Sequence, residues 1–416
     1  MIRRLFEVMI PGRLGSSFRW LLSSSWTTNF GDGIALAAGP LLVASQTDDP
    51  FLVALAATLQ WLPPLLFGLY AGALTDRLDR KRIVIFVDLV RALILTLIVV
   101  TIVTGVVTVW VVLVAMFLLG TAEMFSDNAA STLTPMLVQR DDLVLANSRL
   151  NAGFITLNQL IGPPIGAALF VLGMALPFLT YAFLMVLGAI MISRISIPGL
   201  TEKPKVFGGI RTDIRQGLRW VRHNAAVRTL ILTVTIFNVT FGAAWSVLVL
   251  YATVRLGMGE IGFGLVSTAG ALGGLAGVLF YDLITRYVSL ANVMRVGLII
   301  ETLTHLGLAT TTTPWVALLI FFVFGAHAFI WGTTSITIRQ RAVPLPLQGR
   351  VGSVNLVGVF GGLVVGSAIG GILARFYGLA APFWFAFVGS VIFLVVIWGQ
   401  LVHIAHADDE PNPEPL

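Results

Sequence analysis

Asp32 stands about twelve residues into the first long apolar stretch of the chain, in the run Trp26-Thr-Thr-Asn-Phe-Gly-Asp-Gly-Ile. At 1.5 Å per residue that sets it roughly 18 Å from the start of the stretch, near the middle of a bilayer if the stretch is a spanning helix. A carboxyl at that depth is costly to bury, and by default it is a functional hypothesis. Asn29, three residues earlier, shares its face, and Gly31 and Gly33 thin the helix around it. Asp32 is therefore expected to take up and release a proton as its surroundings change; structural hydrogen bonding is the alternative. Glu123 and Asp127 are four apart on one face of a later apolar stretch. The deeper Glu123 is expected to meet a proton or a cationic substrate, and Asp127 to join an ionic network. Asp88 and Arg91 are three apart and can pair on one helix face. Glu301 and His305 also share a face and are expected to form a structural pair. His327 and Trp331, one turn apart, are cavity candidates, because histidine changes charge in the physiological pH range. An intramembrane histidine on its own is still more often structural.

The elements that must carry these groups follow from composition. Of 416 residues, 57% are hydrophobic and 11% charged, whereas soluble domains carry about 25% charged residues. Runs of about 20 apolar residues recur along the whole length, each long enough to cross a bilayer. The fold class is an all-α integral membrane protein. There is no cysteine, so thiol catalysis, disulfides and Cys-based metal sites are excluded. Five scattered histidines supply no clustered catalytic motif, so no enzyme, metal or cofactor is expected. The Gly270–Gly277 run is glycine-rich but lacks the Lys-Ser/Thr of a phosphate loop, and close helix packing accounts for it better. No cleavable signal peptide is expected, since residues 1–15 are polar and basic.

Twelve spans can be counted, near 18–45, 51–73, 83–104, 107–133, 151–173, 175–197, 228–254, 261–284, 292–311, 314–338, 352–374 and 382–404. Of the 26 Lys and Arg, 23 fall on one side, Arg255 and Arg375 on the other, and Arg91 within span three. The bias of basic residues toward the cytoplasm then places both termini there. The basic balance reflects this topology, and no nucleic-acid partner is expected. The expected division is a six-helix bundle over 1–195, a linker over 196–227, a second bundle over 228–406 and a disordered tail over 407–416. In the linker, Ile210, Ile214, Leu218, Trp220 and Val221 alternate with Arg211, Arg215, Arg219 and Arg222, the pattern of a basic amphipathic helix on the inner leaflet. Arg149 with the glycines after it in span five, and Arg350 with those in span eleven, echo each other across the halves. Duplicated halves around a central cavity are a transporter architecture.

Between spans two and three, Gly72-Ala-Leu-Thr-Asp76-Arg77-Leu-Asp79-Arg80-Lys81-Arg82 packs six charges into seven positions. Topology explains Arg80, Lys81 and Arg82, but it requires neither Gly72 nor an ion pair of Asp76 with Arg77, which are expected to act as a conformational latch. This stretch resembles the signature loop of the major facilitator superfamily, although Asp79 stands where the family has glycine. Gly162-Pro163-Pro164-Ile165-Gly166 is similar to the core of the antiporter motif of the family's exporters, with Asn158 in place of an expected glycine. The 126–166 stretch resembles the enterobactin-exporter and macrolide-efflux branch.

The resemblance covers essentially the whole chain and implies twelve helices in two pseudo-symmetric six-helix bundles. It also implies that Arg77 or Arg80 reaches Asp127, with Asp88 and Arg91 in the same latch network. Trp26, Asn29, Gln60, Phe125, Asn158, Phe237, Asn238, Phe241, Trp245, His327 and Trp331 then fall where the family lines its cavity. Such a mixed aromatic and amide lining suits an amphipathic organic substrate. The expected function is export of amphipathic small molecules, of the multidrug or macrolide type, by proton antiport with alternating access. A siderophore exporter, a lipid translocator on the same fold and a non-transporting membrane sensor are the alternatives. The expected partners are the substrate, protons and membrane lipids, for a monomer in the inner (plasma) membrane.

Overall fold

The computed structural model describes residues 12–75, 78–196 and 210–401. Asp76, Arg77 and the 407–416 tail lie outside the described residues. Helix α1 runs Gly15–Gln46, α2 Pro50–Thr75, α3 Arg80–Val103, α4 Val109–Leu137, α5 Arg140–Leu172 and α6 Leu176–Ser193. The second half comprises α7 Ile210–His223, α8 Ala225–Trp245, α9 Gly259–Tyr287, α10 Leu290–Thr310, α11 Pro314–Ala342, α12 Leu345–Tyr377 and α13 Ala381–Ile397. Ten of these are long and apolar enough to cross a membrane. The 32-residue α1, which carries more polar residues, and the shorter apolar α13 stand at the places of spans one and twelve. The chain is a multi-pass membrane protein.

Local chemistry sets the helix ends. Asp79 caps α3 by accepting from the Arg82 amide at 3.2 Å, and Asn224 caps α8 by accepting from the Val227 amide at 2.9 Å. Gly105 and Gly257 turn the chain at φ +71° and +63°, the left-handed region that glycine enters without a Cβ penalty. Two boundaries differ from the sequence reading. The 139–150 segment, expected as a loop, is mostly the opening of α5. Its polar residues continue a helix that starts well before the apolar run. Span seven is interrupted after Trp245 and resumes over 248–255, partly as a wide π-turn.

By packing, the chain forms two compact units. The first takes in the described residues up to Thr47, those within Leu66–Val206, and Glu260–Thr268. The second takes in Asp48–Leu65, the described part of Phe207–Gly259, and Ala269 onward, so α2 and α9 each divide between the two. In the first unit a core of Phe18, Leu22, Val84, Ala129, Leu133, Ala146 and Ile192 ties α1, α3, α4, α5 and α6 together. In the second unit Val221, Val227, Leu230, Met294, Leu298, Ile338 and Val351 do the same for α7, α8, α10, α11 and α12. The amphipathic helix α7 is thus docked on protein along its Val221 side. A Cβ at Gly217 would come within 2.6 Å of the Arg350 carbonyl oxygen. Part of the face expected against lipid is therefore core.

Candidate functional site

The first unit holds a cavity of about 400 Å³ walled by three helices. Helix α1 supplies Leu21, Ser25, Asn29 and Asp32; α4 supplies Glu123, Asp127, Ala130, Ser131 and Thr134; α5 supplies Asn147, Leu150, Asn151, Phe154 and Asn158. Ten of its fourteen lining residues carry a hydroxyl, amide or carboxyl group, with three acids and no base among them.

Behind this wall Arg91, 2% exposed, reaches forward from α3. Its Nη2 donates to Asp32 Oδ1 and lies against the Tyr181 hydroxyl of α6, which also donates to Asp32 Oδ1. Arg91 Nη1 lies 3.9 Å from Asp88 Oδ1, the expected same-face pair. The Ser126 hydroxyl on α4 donates to that oxygen at 3.1 Å. Asp88 Oδ2 and Arg91 Nε are buried without a hydrogen-bond partner. One guanidinium therefore serves two carboxyls, and only Asp32 opens to the cavity. The helix spacing that pairs Asp88 with Arg91 was legible in sequence. The bond from Arg91 to Asp32, 59 residues earlier, was not, and neither were the contributions of Tyr181 and Ser126.

Helix α5 is shaped around this site. Over Phe154–Ile161 it widens into a π-helix with Asn158 at its centre. Pro163 and Pro164 follow at once and lack the N–H groups that would close the regular ladder, a recognised cause of such widening. Thr268 donates to the Leu160 carbonyl at 3.0 Å and satisfies one acceptor left open there. A Cβ at Gly33 would come within 2.6 Å of the Asn158 and Leu157 carbonyl oxygens, and one at Gly162 equally close to the Gly33 backbone. Gly162 and Gly166 of the antiporter-like motif thus let α5 lie against Gly33 and Ile34, directly beside Asp32. Pro163 is buried too, and a Cβ at Gly264 of α9 would come within 2.9 Å of its carbonyl oxygen.

The described signature-loop residues tie helix ends together. Gly72 is in the last turn of α2. Asp79 caps α3 and pairs with Arg82 at 3.3 Å, which gives a physical use for the acid that replaces the family's glycine. Lys81 Nζ donates to the Ser193 and Ile195 carbonyls at 2.8 and 2.7 Å, tying down the end of α6. Arg80 Nη1 meets Met136 Sδ at the end of α4. Asp127 lines the cavity with Asp32 and Glu123. Asp88 and Arg91, expected in the latch, belong instead with Asp32.

The remaining candidates are dispersed. Trp26 is half-buried, with its indole donating to the Arg149 carbonyl at 3.1 Å, and Phe125 is half-buried on α4. In the second unit Gln60 is half-buried on α2, and Asn238 donates to its own helix at the Val234 carbonyl, 2.7 Å away. Phe237 is buried against Trp331 and Phe393 at ring distances of 6.2 and 5.9 Å, a core position. Phe241, Trp245 and Phe324 stack together, the first pair at 4.3 Å, and Trp245 presents its face or edge to His305 at 6.1 Å. Glu301 pairs with His305 at 3.3 Å, as the i,i+4 spacing required. It also takes His327 from α11 at 3.1 Å, so His327 is a partner of this carboxylate and not an independent cavity group. Among the described residues no cluster suits a metal ion.

The sequence matches the family model described as transmembrane secretion effector over residues 13–414. It is 30% identical over 390 residues to the multidrug efflux pump Tap of Mycolicibacterium fortuitum, covering 87% of this chain and 90% of that one. It is 22% identical over 366 residues to macrolide efflux protein A of Streptococcus pyogenes, covering 85% and 88%. In fold it is similar to a mutant form of the nucleoside transporter NupG, with a TM-score of 0.76 at 12% identity over 93% of this chain and all of that one.

Proposed function

The chain belongs to the transmembrane secretion effector family of major facilitator transporters, and from that premise we propose that it exports amphipathic small molecules by proton antiport. One observation carries the reading. The cavity in the first unit joins three carboxyls to amide and hydroxyl groups, and the base behind it, Arg91, is shared between Asp32 and Asp88. Asp32 and Glu123 are half-buried and Asp127 is open to the cavity. Acids in such excess within a membrane need either protons or a cation beside them, because an uncompensated carboxylate there is disfavoured. A site that holds either but not both couples one to the other. Asp32 is the group at which the two compete, with Glu123 and Asp127 as flanking acids. Asn29 and Asn158, at the α1–α5 contact, supply polar contacts to the substrate.

The cycle on this reading is alternating access between two six-helix halves, with the energy drawn from the proton gradient. Each charge that crosses the membrane contributes about 2.3 kcal/mol per 100 mV. The membrane is the plasma membrane, with both termini in the cytoplasm, on the strength of 23 of the 26 basic residues falling in the segments on that side. The test is a susceptibility and accumulation screen in a pump-deficient bacterial host. Expression should lower accumulation of at least one dye, macrolide or tetracycline, and Asp32→Asn should restore it. Unchanged accumulation of every compound would contradict export.

A further inference from the structure

We propose that Asp88 is a second proton site of the transporter, and that Arg91 exchanges between Asp32 and Asp88 when the proton on Asp88 is replaced by a cationic substrate on Asp32. The inference rests on the antiport reading and names its substrate class as an organic cation. It starts from a charge count in a buried trio. Asp32, Asp88 and Arg91 together are neutral only when one carboxyl carries a proton. Arg91 Nη2 is bonded to Asp32, and Asp88, 1% exposed, has one oxygen 3.9 Å from Arg91 Nη1 and the other without a partner. In this arrangement the carboxyl left over is Asp88, and the proton belongs there.

The vacant partners mark the second arrangement. Arg91 Nε and Asp88 Oδ2 are both buried and both unused. Gly188 of α6 packs beside Oδ2, where a Cβ would stand 3.9 Å from it and 2.6 Å from Thr28 Cγ2. When the Asp88 O–H bond breaks, its electron pair stays on the carboxylate and the proton passes by way of Asp32 to water in the cavity. Arg91 then moves fully onto Asp88, and Asp32 is left bare at the cavity wall for the cation. One proton leaves as one cation enters, and the trio plus its ligand stays neutral throughout. The charged groups facing Asp88 are Arg91 on its own helix, Asp32 from α1 and Asp127 from α4, with the Ser126 hydroxyl as a fixed donor, while Tyr181 from α6 and Glu123 from α4 face Arg91. Arg91 is a positioning residue in this scheme, since it decides which carboxyl is free.

The experiment is binding of ethidium to the purified full chain in detergent, followed by fluorescence anisotropy between pH 5.5 and 8.5. Wild type should bind about tenfold more tightly per pH unit, the slope for one proton displaced by one ligand. Asp88→Asn, a permanent mimic of the protonated acid, should bind weakly and without that slope, and Asp88→Glu should recover it. A flat wild-type profile overturns both this inference and the antiport reading. A sloped wild type whose slope survives in Asp88→Asn overturns this inference alone. Should Asp88→Asn not fold, the infrared difference spectrum of wild type on adding ethidium decides the matter. Loss of one protonated-carboxyl band is expected, and an unchanged band overturns the proposal.

Discussion

The two units each bury a cluster of ionisable groups, and the clusters are built on opposite principles. In the first, Arg91 pairs with Asp32 and Asp88, Glu123 and Asp127 stand beside Asp32 without a base of their own among the described ion pairs, and the cluster opens on a cavity of about 400 Å³. In the second, Glu301 alone is held between His305 at 3.3 Å and His327 at 3.1 Å, behind Trp245 and Phe324. Both leave buried atoms without a hydrogen bond, Asp88 Oδ2 and Arg91 Nε in the first and the His305 ring nitrogens in the second, but only the first has more acid than base. The second has a base on each side of its acid and a single carboxylate to satisfy. A buried network with a base for each acid holds helices together, whereas one with acid in excess must be balanced by something that comes and goes. On the proposed function the transport chemistry belongs to the first cluster, and the second joins α10 to α11.

The contrast can be broken most forcefully at Arg91. Arg91→Ala strands Asp32 and Asp88 in the interior, and removing one partner of a buried pair costs about 3–5 kcal/mol. A large fall in the thermal unfolding midpoint of the detergent-purified protein is expected, along with loss of efflux; a midpoint within 2 °C of wild type would show that the acids are not held by Arg91. Glu301→Gln should cost less, about 1–3 kcal/mol for imidazoles left without their acceptor. It should lower the same midpoint while efflux per folded molecule stays near wild type. Normal stability with abolished efflux would reverse the assignment of the two clusters. Tyr181→Phe is the mildest change. It removes one hydroxyl from Asp32 and nothing from the packing, for a loss of about 1 kcal/mol. Efflux should fall several-fold without vanishing, and an unchanged rate would mean that Arg91 alone sets the geometry of Asp32.

What the sequence disclosed depended on the range of the interaction. Membrane residence, helix number to within the two end spans, and the turns at Gly105 and Gly257 follow from local composition. The pairs Asp88 with Arg91 and Glu301 with His305 follow from helical spacing. Arg91 with Asp32, and His327 with Glu301, join different helices, and no single-sequence pattern encodes which faces meet. Reading residues 139–150 as a loop hid Asn147 from the cavity, because a polar helix start looks like a connector. The glycines of the Gly162–Gly166 motif were recognised by family pattern, but their physical reason is a helix crossing at Gly33. That reason becomes visible only when both backbones are placed.

The central claim is that coupling resides in the acid-rich cluster of the first unit. It is tested most directly by proton flux in proteoliposomes carrying Asp32→Asn or Glu301→Gln side by side, with ethidium as the driving substrate. The account predicts that ethidium-driven proton movement is lost in Asp32→Asn and retained within about threefold in Glu301→Gln, a difference of about 0.7 kcal/mol or less from wild type for the latter. Proton movement that survives in Asp32→Asn and disappears in Glu301→Gln would contradict it.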